Sequence, residues 1–155
     1  MSTTRNFNAE FEGTLITKDL DNTTANVDNL VPGCVVTWDT GEVVGATGTS
    51  NKTLGLCTVT VIADPGTDKG FVKPIDPTIA YPDDKTGVYV DGGIYRYVMG
   101  MEDTDGRVVM PSGLSIGDYL QPHTSYAGCF EVGSSQKVLM VTGVTSTEAQ
   151  VQLLV

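Results

Sequence analysis

The chain has 155 residues, among them 18 glycines and seven prolines, and carries 9 basic against 19 acidic side chains for a net charge of −10. That length suits one domain with its own hydrophobic core. The charge sets the surface against phosphate backbones and anionic lipid, so neither nucleic acid nor membrane is an expected partner. The first seven residues lack the apolar core of a signal peptide, and no run approaches the ~20 apolar residues of a membrane helix, which points to synthesis in a cytoplasm.

Residues 1–29 read as a segment apart. Thr, Asn and Asp dominate it, yet Phe7, Phe11, Leu15, Ile16 and Leu20 recur along it, and Gly13 discourages a long helix. The expectation is an extended N-terminal arm, polar overall, whose spaced apolar residues anchor it on a partner or a sister subunit. The competing expectation is a first strand pair of the same domain or a frayed tail.

From residue 30 onward the pattern is that of short strands and tight turns. Residues 30–38 form the first expected strand, 42–45 a second and 54–63 a third, with Asp64-Pro65-Gly66 as a turn, the whole reading as a β-meander. Residues 64–85 hold Pro65, Pro74, Pro77 and Pro82 interleaved with Phe71, Ile75, Ile79 and Tyr81. Prolines at that density remove ladder donors, so this stretch is expected as a long loop. A long loop in a β-domain is commonly functional or docked, which makes Phe71 and Ile75 candidate contact residues beside Phe7, Phe11, Leu15 and Ile16.

Residues 87–98, with Asp91-Gly92-Gly93 at their centre, predict a hairpin, because that tripeptide suits consecutive positive φ angles. A polar turn at 102–106 and a strand at 107–110 follow. Residues 111–132 read as two strands, over 114–120 and 127–132, around a connection containing Pro122. Tyr126-Ala-Gly-Cys-Phe-Glu-Val132 loosely echoes Lys52-Thr-Leu-Gly-Leu-Cys-Thr-Val59, as repeated strand pairs would. Two strands, over 136–143 and 148–155, close the chain. The fold class is all-β, a single barrel or sandwich over residues 30–155.

Reactive constellations are sparse. Cys34, Cys57 and Cys129 are odd in number, widely spaced and without a CxxC pair, which argues against a disulfide framework or a structural zinc; they read as small buried hydrophobes. His123 is the only histidine, beside Pro122, and no nucleophile elbow accompanies it. Asp103-Thr-Asp-Gly106 resembles half of a calcium loop but lacks the closing acidic residue. Tyr89, Tyr95 and Tyr97 alternate as cross-strand partners do, although a sugar-stacking platform would have to use them. No metal, cofactor or catalytic set is expected, and the chain is not expected to be an enzyme.

The order Val31-Pro-Gly-Cys-Val-Val36, Thr53-Leu-Gly-Leu-Cys57, Val88-Tyr-Val-Asp-Gly-Gly-Ile-Tyr95, Leu114-Ser-Ile-Gly-Asp-Tyr-Leu120, Tyr126-Ala-Gly-Cys-Phe130 and Val151-Gln-Leu-Leu-Val155 resembles the small capsid decoration, or cement, proteins of tailed bacteriophages. The resemblance covers residues 30–155 and rests on order and pattern. The proline-rich 64–85 stretch and the longer N-terminal arm depart from the family pattern. The resemblance implies an all-β homotrimer on the capsid exterior of a virion, bridging major capsid protein subunits and stabilising the shell. A carbohydrate-binding module and a tail or baseplate structural protein are the alternatives.

Overall fold

The structure, a computed structural model, describes residues 6–19, 30–39, 42–48, 53–63, 69–74 and 85–155. These contain ten strands: β1 (Phe7–Asp19), β2 (Val35–Asp39), β3 (Glu42–Gly45), β4 (Thr53–Ala63), β5 (Lys69–Pro74), β6 (Lys85–Val98), β7 (Tyr119–Pro122), β8 (Phe130–Val132), β9 (Leu139–Val144) and β10 (Glu148–Leu153). The all-β expectation holds. Among the described residues there is no helix, hence none long and apolar enough to cross a membrane.

All strands join one curled antiparallel sheet in the order β3-β2-β4-β6-β10-β9-β7-β8, with β1 added to β6 and β5 to β4. Its two ends come together through main-chain bonds. Val35 N–H donates to Gly128 O (3.1 Å), Gly128 N–H to Ala46 O (2.9 Å), and Gly48 N–H to His123 O (2.8 Å). The connection between β7 and β8 thus ties the β8 end of the sheet to the β3 end, satisfying polar groups that an open edge would leave bare.

Strand β6 organises this arrangement. Along one edge it carries β1 over nearly its whole length, from Phe7↔Tyr97 to Asp19↔Lys85. Along the other edge its first half pairs with β4 (Leu56↔Tyr89) and its second half with β10 (Val151↔Tyr95). The switch falls at Asp91, Gly92 and Gly93, whose φ angles are 57°, 84° and 102°. The hairpin turn expected at this tripeptide is not formed. The positive φ angles are there, but they produce a bulge that bends one continuous strand and passes it from one half of the sheet to the other.

The bulge is built to admit a hydroxyl. Tyr95 Oη accepts from Gly13 N–H (3.1 Å) and donates to Gly92 O (3.0 Å), so one phenol bridges the two strands where the ladder is interrupted. A Cβ on Gly93 would lie 2.6 Å from both Gly13 N and Phe11 O, and one on Gly13 would fall on the Gly92 carbonyl. Gly13 and Gly93 therefore meet because the two backbones and the phenol occupy the space that side chains would need, whereas Gly92 is set by its positive φ.

The core lies on the concave side. Phe7 packs against Tyr97 (centroids 4.8 Å), Tyr95 (5.7 Å) and Tyr89 (6.3 Å), all buried. Val35, Val43, Leu56, Met110, Leu120, Phe130, Leu139 and Val151 extend the same cluster. Each buried phenol has a partner: Tyr97 donates to Gly33 O at 2.6 Å and Tyr89 to Glu12 at 3.2 Å. Burial pushes the Tyr97 hydroxyl well above the ordinary phenol range, so it is a neutral donor at physiological pH.

Several expectations change. Residues 7–19 are extended, as an arm would be, but they form a strand of the same sheet and send Phe7 into its core, so the domain's packed part begins before residue 30. Within the expected 64–85 loop, Lys69–Pro74 is strand β5, placed on the edge of β4 next to β2, with Pro74 at its end where a missing donor costs least. Strand β4 passes β3 and pairs with β2, so the meander is broken. Residues 107–110 make only an isolated bridge, Glu102↔Val108. Of the echoing segments, residues 53–59 lie in a central strand and residues 126–132 at a sheet end, in inequivalent places.

Candidate docking face

In an antiparallel sheet, residues opposite one another project to the same side. The register of the strands therefore sorts side chains into rows. One row, Ala9↔Tyr95↔Val151↔Val141, faces the core, and its last three members are buried. The neighbouring row faces solvent: Phe11↔Ile94↔Gln152↔Met140↔Tyr119 runs across β1, β6, β10, β9 and β7. At a strand spacing of ~4.8 Å it spans roughly 19 Å.

Four of its five members are apolar or aromatic, interrupted by an exposed Gln152. Phe11 is 70% exposed, whereas Ile94, Met140 and Tyr119 are half-buried by their neighbours. The Lys137 ammonium lies 4.5 Å from the Tyr119 ring centroid, a cation–π contact that fixes the far end of the row. The face has apolar area at both ends and a polar amide between, all held on hydrogen-bonded strands.

Beside this row lies a band of linked polar groups. Glu10 pairs with Arg96 and accepts from the Gln150 amide (2.6 Å), Arg96 also approaches Glu148 at 3.7 Å, and Thr142 Oγ1 donates to Gln150 Oε1 (3.2 Å). The Gln150 hydrogen bond, then the Arg96 guanidinium, hold the Glu10 carboxyl below the usual range. The band links β1, β6, β10 and β9 across the same outer surface, so the apolar row rests on a cross-braced sheet.

The residues singled out from sequence separate. Phe11 lies on the outer row. Phe7 is a core residue, only 6% exposed, which removes it from any contact surface of the folded chain. Leu15 is 46% exposed opposite Tyr89, and Ile16 is partly buried against the core. Phe71 lies on β5, and Ile75 lies outside the described residues. Tyr89, Tyr95 and Tyr97 all turn inward, so they form no sugar platform.

Cys34, Cys57 and Cys129 are free and fully buried. Burial, followed by the Asp103 charge, pushes the Cys129 thiol up to about 12. Asp103 Oδ1 accepts from the N–H groups of Asp105 and Arg107, both at 2.9 Å, so this carboxylate orders its own turn. Among the described residues no group of three or more His, Cys, Asp or Glu is placed to hold a metal ion.

Sequence reasoning missed Ile94, Met140, Gln152 and Tyr119. Met140 sits inside Leu139-Met140-Val141, which reads as one apolar run, and only the strand register separates it from its buried neighbours. Comparison with protein-family models, characterised proteins and solved structures gives no match.

Proposed function

We propose that the chain is a structural virion protein that binds the exterior of a tailed-phage capsid and stabilises the shell by bridging major capsid protein subunits. The observation that carries this reading is the outer row from Phe11 to Tyr119, apolar side chains held outward on a braced sheet. A rigid surface of that kind suits permanent attachment, because little conformational freedom is lost when it docks. The order of motifs over residues 30–155, which resembles capsid decoration proteins, supports a phage capsid as the lattice.

Strength would come from assembly as a homotrimer. Three modest contacts tied in one particle raise the effective concentration of each, so overall attachment tightens without new chemistry. The docking side of each copy is the β1-β6-β10-β9-β7 face, with Phe11 as its most exposed apolar contact; Ile16 packs against the core and Leu15 lies opposite the inward Tyr89, so neither belongs to that row. The expected location is the capsid exterior, after synthesis in the host cytoplasm.

Fractionation of virions into heads and tails tests the proposal. Recovery with heads, together with a native mass three times that of the chain, supports it. Recovery with tails favours a tail or baseplate role, and binding to a glycan array by protein absent from particles favours a carbohydrate-binding module; either result displaces the capsid reading.

A further inference from the structure

A second surface lies apart from the outer row, where the β7–β8 connection meets the turn at 103–111. It is a groove of about 450 Å³, whose walls include Arg107, Val108, Pro111, His123, Tyr126 and Val132. Val132 is 56% exposed and Val108 44%, so the walls present branched apolar side chains to solvent.

One positive charge stands among them. The Arg107 guanidinium lies 4.6 Å from the Tyr126 ring centroid, and the His123 ring stacks on the same tyrosine at 4.7 Å. Among the described residues the ion pairs of the sheet belong to Arg96, and no carboxylate lies within ion-pair distance of Arg107. Contact with the ring face orients a guanidinium while its N–H edge stays available for a bidentate acceptor. Arg107 is exposed and, among the described residues, has no carboxylate partner, so its guanidinium is open to an acceptor that enters between the apolar walls.

The other polar groups narrow the ligand. His123 Nδ1 accepts from the N–H groups of Ser125 (3.0 Å) and Tyr126 (3.2 Å), which puts the ring proton on Nε2 and leaves one donor. Glu131 also lines the groove and brings one negative charge, its Oε1 held by Thr124 N–H (2.8 Å) and the Gln121 amide (3.4 Å), so an incoming carboxylate is placed by Arg107 and not at the Glu131 side. A sugar entering here would leave most of its hydroxyls facing valine and proline, at the cost of unpaired polar groups. An apolar peptide carrying one carboxylate matches both the walls and the guanidinium.

We propose that this groove binds a short apolar segment of a partner protein through an Asp or Glu side chain held by Arg107. The inference is independent of the capsid reading, since it concerns a different surface and names only the chemistry of the segment.

The test uses the full chain, fluorescently labelled, against arrays of blocked pentapeptides with Asp, Asn, Lys or Leu fixed at the centre and the flanks varied. Asp-centred peptides with Val, Leu or Ile flanks are expected to bind at least about tenfold more tightly than their Asn counterparts, and Arg107→Gln is expected to erase the difference. The Arg107 bond to Asp103 is made by the backbone N–H, so Arg107→Gln keeps the turn; an unchanged circular dichroism spectrum and urea midpoint verify this. Equal binding of Asp and Asn peptides, absence of binding, or a preference that survives Arg107→Gln overturns the proposal. Arg107-dependent binding of galacturonate oligomers in place of peptides overturns the peptide assignment. Head or tail recovery of the protein leaves each of these outcomes unaltered, so the two proposals fail separately.

Discussion

Phe7 and Phe11 lie four residues apart on the same strand, yet the register sends one into the core and the other to solvent. Phe7→Ala removes a ring that is 6% exposed and in contact with three tyrosines. Truncating a buried phenylalanine costs ~3–5 kcal/mol. Phe7 starts β1, where the strand end can settle into part of the space, so the lower figure of about 3 kcal/mol applies. With a urea m-value of ~2 kcal/mol/M, the midpoint should fall by roughly 1.5 M. Phe11→Ala removes a ring that is 70% exposed and should change stability by less than about 0.5 kcal/mol. Urea titrations followed by near-ultraviolet circular dichroism read both, because the tyrosine cluster reports its own packing. Equal effects of the two substitutions, or a loss below about 1 kcal/mol for Phe7→Ala, would refute the placement of β1 on β6.

Three further outcomes follow from the same geometry. Gly93→Ala places a Cβ at φ 102° against Gly13 N and Phe11 O, and should cost more than the ~1–2 kcal/mol of the backbone angle alone; Gly113→Ala, at φ 72° with open space around it, should stay within that range. Differential scanning calorimetry should rank the two in that order. Because the folded Glu10 carboxyl titrates below its unfolded value, its contribution to stability is full at neutral pH and fades as pH drops through the unfolded pKa towards the folded one. The difference in urea midpoint between the native chain and Glu10→Gln should therefore be larger at pH 7 than at pH 3, and a constant difference would contradict the Glu10–Gln150–Arg96 link. Maleimide mass labelling of native protein should leave Cys34, Cys57 and Cys129 unmodified until denaturant is added; rapid labelling of any of them would contradict its burial.

The strands were legible wherever local pattern and tertiary placement agreed. Residues 42–45 and 54–63 carry β-branched runs bounded by turn residues, and they became β3 and β4 (Thr53–Ala63) with little change of limits. The bend of β6 was legible only in part. Asp91-Gly92-Gly93 announces positive φ, but whether the chain reverses or continues depends on what pairs beside it, and β1 pairs along both halves. Lys69–Pro74 was hidden by Pro74 and the prolines on either side of it, because an edge position tolerates Pro74 and sequence does not mark an edge.

The outer row was invisible for a related reason. Its members come from five strands separated by up to 141 residues in number, and each is ordinary in its own segment. Phe11 alone stood out, because an aromatic in a polar lead segment is conspicuous without any knowledge of pairing. Phe7 stood out equally and proved to be core, since a spacing of four residues in a bulged strand does not preserve the face.

The docking of the β1-β6-β10-β9-β7 face is most directly tested by titrating purified protein onto empty expanded phage heads and measuring bound copies by sedimentation, for the native chain and for a Phe11→Asp, Met140→Asp double variant whose fold is verified by circular dichroism. Saturable binding of the native chain at a fixed number of copies per shell, reduced at least about tenfold by the double variant, is the predicted result. Equal binding of the two proteins, or no binding of either, would contradict it.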